Sequence, residues 1–91
     1  MILMGRMVHF ATFEKFIQAS SGSAAMKRQV IDLVRALRQG DLIDSFVLGL
    51  MLSEASRKLP PERLRDFEAT IALTRDLNNV PIVQIEGQPV S

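Results

Sequence analysis

Cysteine, tryptophan and tyrosine are absent from these 91 residues, and histidine occurs once, as His9. Without cysteine there is no disulfide framework, no thiolate metal site and no thiol nucleophile. One imidazole is little material for metal ligation or general-base work, so no catalytic, metal or cofactor site is expected. A net charge of +1 argues against a nucleic-acid binder driven by bulk electrostatics. No apolar run reaches the ~20 residues of a membrane span. Met1-Ile2-Leu3-Met4 is cut short by Gly5-Arg6, so no signal-peptide core is expected. The expectations that follow are a cytoplasmic protein with no membrane partner.

What is present is 47% hydrophobic and 23% charged, a globular balance rather than a disordered one. The length suits a single domain over 1–91. A domain this small buries only roughly two-thirds of its unfolded surface, and a second copy often completes its core. Charge is uneven along the chain. Residues 1–40 carry six cationic side chains against two carboxylates, and residues 41–91 carry five against eight.

The first ten residues, MILMGRMVHF, read as a short strand or extended arm over about 2–9. Thr12 is placed to cap a short helix to about Ser20, with Phe13, Phe16 and Ile17 on one face. Ser20-Ser21-Gly22-Ser23 is the most linker-like stretch. It leaves residues 1–22 open to two readings, a loosely attached arm or a part of the fold that continues as a helical core and C-terminal strand over 23–91. Ser23 is a candidate N-cap for an amphipathic helix that Gly40 stops. Met26, Val30, Leu33, Val34 and Leu37 recur on its apolar side, with Lys27, Arg28, Arg35 and Arg38 opposite.

Asp41 is placed to cap the next helix, with Asp44 supporting its positive end. This helix is expected over 42–59, ended by Pro60-Pro61. Leu42, Ile43, Phe46, Val47, Leu48, Leu50, Met51 and Leu52 make it apolar almost all round. A helix of that kind is covered on several sides, so it is expected to be the central element. Ser45, Gly49 and Ser53 interrupt the apolar surface with small side chains. They admit a close approach, either by another helix of the chain or by a second copy on a two-fold axis. Pro61 opens a third helix to about Asn78, with Leu64, Phe67 and Ile71 on one stripe and Leu73 and Leu77 nearly opposite. Two stripes imply two partners. Ile82-Val83-Gln84-Ile85-Glu86 reads as a strand at 81–86 that needs a neighbour. The fold class is therefore mainly α: a small helical bundle of three to four helices around a central apolar helix 42–59, with short terminal strands at about 2–9 and 81–86.

Chemistry finds little support. There is no GxSxG elbow, Gly22 and Gly40 fit no phosphate loop, and Asp41 and Asp44 read as helix caps. The run Gly40-Asp41-Leu42-Ile43-Asp44-Ser45-Phe46 resembles the attachment site of acyl and peptidyl carrier proteins, where an Asp-Ser pair begins a helix. That resemblance implies Ser45 as the phosphopantetheine attachment point. The chain departs from the carrier pattern in having a strong amphipathic helix where carriers have a long loop, and a C-terminal strand.

Lys27, Arg28, Arg35 and Arg38 make a modest basic face, the candidate nucleic-acid contact. The helix after Gly40 is too apolar to enter a DNA groove as a recognition helix. The favoured function is a non-enzymatic protein–protein interaction module, a small homodimeric regulator, adaptor or inhibitor. Its dimer or partner interface is expected at Ser45, Phe46, Gly49, Leu50, Ser53, Leu73 and Leu77. The alternative is a dimeric DNA-binding transcriptional regulator that uses the basic helix 24–39 or the N-terminal arm.

Overall fold

Hydroxyl and carboxylate caps start two of the helices, and one glycine turn separates the two halves of the chain. The structure is a computed structural model that describes residues 6–79. The order is β1 (Met7–His9), α1 (Phe10–Ala19), α2 (Ala24–Arg35), β2 (Leu42–Asp44), α3 (Ser45–Arg57) and α4 (Pro61–Ile71), followed by a 3-10 segment over Ala72–Asn79. The protein is a small, mainly helical bundle with a short two-stranded antiparallel sheet. No helix among the described residues is long and apolar enough to cross a membrane. The strand expected at 81–86 lies outside the described residues.

The N-terminal strand is present, but its partner is internal. Met7 pairs with Asp44, Val8 with Ile43 and His9 with Leu42. Val8 and Ile43, directly opposite, are both buried. That shared burial makes a strand of residues 42–44, which the sequence pattern assigns to a helix. Helix α3 therefore starts at Ser45, and Asp44 rather than Asp41 caps it, accepting from the Phe46 N–H at 2.8 Å. Asp41 instead holds β1. Its backbone carbonyl accepts from the Phe10 N–H at 2.6 Å, and its carboxylate accepts from His9 Nδ1. Helix α1 accordingly starts at Phe10, two residues ahead of the expected Thr12 cap. Between α2 and β2 the backbone closes a tight turn, with Gln39 and Leu42 exchanging N–H···O bonds of 2.8 and 3.0 Å. Gly40 supplies its left-handed residue, at φ 64°.

Ser23 caps α2 as its spacing predicts, accepting from the Met26 N–H at 3.1 Å. The serine-rich stretch before it is fastened to α4. The Ser23 N–H and hydroxyl donate to the two Asp66 carboxylate oxygens at 2.8 and 2.5 Å. Those bonds hold the Asp66 carboxyl below its ordinary range, with a smaller contribution from the nearby Arg63. Gly22 lies so close to α4 that an added Cβ would sit 1.8 Å from Thr70 Oγ1. Only glycine fits there.

The core is built from α1, α2, the sheet and α4. Phe13 and Ile17 of α1, Val30 and Val34 of α2, and Val8 and Ile43 of the strands are its fully buried members. Phe67 joins from α4, and the 3-10 segment packs on α1 and α4 with Leu77 buried. Helix α3 contributes only Leu48 and Leu52 to the buried set. The expected central role of 42–59 is thus corrected. Part of that apolar run is a strand, and α3 itself lies at the edge of the bundle with one side wet.

Candidate protein-docking surface

The register of α3 follows from its two ends. Asp44 fixes the first turn, and Leu48 and Leu52 point inward. At 100° per residue the opposite side carries Phe46, Val47, Leu50, Ser53 and Arg57. Phe46 is 47% exposed, Val47 41% and Leu50 57%, and Leu33 of α2 is 38% exposed. These four are the exposed large hydrophobic side chains among the described residues. A groove of about 600 Å³ runs past Leu33, Val47, Leu50 and Met51, rimmed by Glu54, Arg57 and Lys58. Beside it a second groove, about 640 Å³, opens between α2, α3 and α4 over Met26, Val30 and Phe67. Leu33, Met51 and Ala55 line both. The two grooves form one apolar surface.

The residues expected at an interface divide among different places. Phe46, Gly49, Leu50 and Ser53 are exposed on α3. Ser45 is half-buried, and its hydroxyl accepts from the Arg6 N–H at 2.8 Å while its own N–H donates to Arg6 O at 2.7 Å. It fastens β1 rather than facing outward. Leu73 is half-buried, and Leu77 lies in the core of this same chain. The tighter 3-10 winding after Ile71 brings Leu77 round toward the Phe67 and Ile71 side, where a continued α-helix would carry it on a separate stripe with a second partner. Leu33, Val47 and Met51 belong to the surface and were not among the expected residues. The signal for Val47 was available, since it lies only 60° round the helix from Leu50.

The basic side chains lie on the other side of α2. Lys27, Arg28 and Arg35 line a groove of about 520 Å³ against α1, together with Glu14 and Asp32. Arg35 pairs with Asp32 at 3.1 Å. The Arg35 and Arg38 guanidinium carbons each sit 5.6 Å from the centre of the buried Phe10 ring. Lys27 Nζ donates to the Gln18 carbonyl at 2.9 Å. Three of the four candidate nucleic-acid contacts are thus engaged within the chain, and two carboxylates dilute their field.

His9 is the remaining chemical group. Its Nδ1 is within hydrogen-bonding reach of the Asp41 carboxylate. Nε2 is buried with no hydrogen-bond partner among the described residues. No three His, Asp or Glu side chains among the described residues gather where a metal ion would need them.

The chain matches no family model, no curated protein and no solved structure.

Proposed function

We propose that the protein is a non-enzymatic protein–protein interaction module, a small dimeric regulator, adaptor or inhibitor that acts through the outward face of α3. One observation carries this reading. Leu33, Val47 and Leu50 line one groove with Phe46 one helical turn before Leu50, and among the described residues no other large apolar side chain is as exposed. Contiguous exposed apolar area is costly in water and marks docking sites more often than scattered single residues do. A helix face with apolar anchors at i and i+4, here Phe46 and Leu50, is a familiar means of docking.

The test compares wild-type chain with Leu50→Glu as bait in affinity capture from the native host. Circular dichroism first establishes that the variant keeps its helix content. Proteins retained by wild type and lost by the variant are the expected result. Identical capture profiles would overturn the reading.

DNA binding through Lys27, Arg28, Arg35 and Arg38 has weaker support, because the intrachain contacts of these side chains and the carboxylates among them reduce the field a phosphate backbone would meet.

A further inference from the structure

We infer that the occupant of this surface is a second copy of the chain, with the two α3 helices antiparallel and crossing near Gly49 and Leu50. The inference rests on the reading of α3 as a docking face and commits it to one partner.

Charge placement selects that partner. Asp44 stands at the start of α3, and Arg57, which pairs with Glu54 at 3.3 Å, and Lys58 stand at its end. A parallel pair would set acid on acid and base on base. An antiparallel pair brings Arg57 and Lys58 of one copy toward Asp44 of the other, twice over by symmetry. It also opposes the helix dipoles in their favourable sense. One patch with an acidic end, an apolar middle and a basic end is complementary to its own two-fold image. The apolar middles, Phe46 and Leu50 with Val47 and Leu33 beside them, then cover one another.

Gly49 is a separate observation with the same direction. Glycine inside a helix is less stable than alanine, so a contact that needs it is expected. A Cβ built on Gly49 meets nothing within 4 Å in the monomer, so no contact inside the chain calls for glycine there. Gly49 lines a groove toward α4 with Ser53, Ser56, Phe67 and Ile71 and stands 60° round the helix from Phe46, so a second helix crossing over Phe46 gains the closer approach that a missing side chain allows.

The chain has no native cysteine, so single-cysteine variants report the geometry cleanly. Light scattering on the full wild-type chain at about 100 µM, a concentration that populates even a weak dimer, should give twice the 10.2 kDa chain mass. Leu50→Glu should return it to the chain mass with helix content intact. Leu50→Cys should form a disulfide dimer readily under mild oxidation, and Arg57→Cys should not, because antiparallel crossing separates the two copies of residue 57. Reversing the basic end with Arg57→Glu and Lys58→Glu should weaken the dimer about fivefold or more at low salt.

A monomeric wild-type chain would overturn self-pairing and leave a foreign partner for α3 standing. A dimer in which Arg57→Cys cross-links as fast as Leu50→Cys would overturn the antiparallel arrangement. A dimer unchanged by Leu50→Glu would overturn both self-pairing through α3 and the docking face itself.

Discussion

Helices α1 and α3 are both rich in large apolar side chains, yet they end in opposite surroundings. Phe13 and Ile17 of α1 are wholly buried, whereas Phe46 and Leu50 of α3 are about half exposed. The difference lies in the number of covering elements. Helix α1 meets α2, α4, the 3-10 segment and the strand beside it. Helix α3 lies at the edge and buries one narrow stripe, Leu48 and Leu52. The apolar content of a segment therefore reports how much cover it seeks, not how much its own chain supplies. On α1 the demand is met within the monomer. On α3 it is left over.

The contrast predicts unequal costs for the same substitution. Phe13→Ala should destabilise the fold by about 3–5 kcal/mol, as core aromatic truncations do. Phe46→Ala should change monomer stability by less than about 1 kcal/mol. Denaturant titration of both variants, in a Leu50→Glu background that removes association, measures the two numbers side by side. Equal losses would erase the distinction between the helices.

A smaller effect is expected where the serine-rich stretch meets α4. Gly22→Ala forces a methyl group onto Thr70 and should cost about 1–3 kcal/mol. A neutral result in the same titration would mean that residues 20–23 stand off from α4. Gly49→Ala should act in the reverse sense on the monomer. It should stabilise an α3 that is otherwise unchanged by about 0.5–1 kcal/mol, while weakening self-association measured by light scattering. Gain in both quantities would remove the reason given for glycine at that position.

The smallest effect is on acid stability. The Asp66 carboxyl is held below its ordinary value by the two bonds from Ser23. A carboxyl depressed in the folded state contributes stability above its unfolded pKa and loses it as pH falls through the folded value. The tie between residue 23 and α4 should therefore hold at neutral pH and weaken below about pH 3.8, the ordinary value for this group. Asp66→Asn should flatten the acid limb of a thermal-stability profile. An unaltered limb would show that the contact adds nothing to folding.

Much of the helical layout was legible because its signals are local. The Ser23 cap, the Pro61 start and the shared face of Phe13 and Ile17 each need only a few neighbouring residues to read. Strand β2 was not legible in that way. Three residues are too few to show a period, and their partner lies more than thirty residues away, so Leu42-Ile43 counted toward a helix. The same pairing brings His9 to Asp41, which no spacing along the chain announces. The exposed side of α3 was partly legible, since Phe46, Gly49, Leu50 and Ser53 share a face at helical spacing. Its rank within the fold was not, because a tally of apolar residues over 42–52 carries no information on which side of the bundle the helix lies. Leu77 shows a related limit. A change from α to 3-10 winding rotates every later side chain, and composition does not mark where that change begins.

Thermal unfolding as a function of chain concentration tests the central claim most directly. If α3 is covered by a second copy, folding and association are linked, and the Tm of the wild-type chain should rise by several degrees over a hundredfold increase in concentration, roughly the response of a small domain to a few kcal/mol. The Tm of Leu50→Glu should stay constant over the same range. A wild-type Tm that does not move with concentration, and equals that of the variant, would contradict the account.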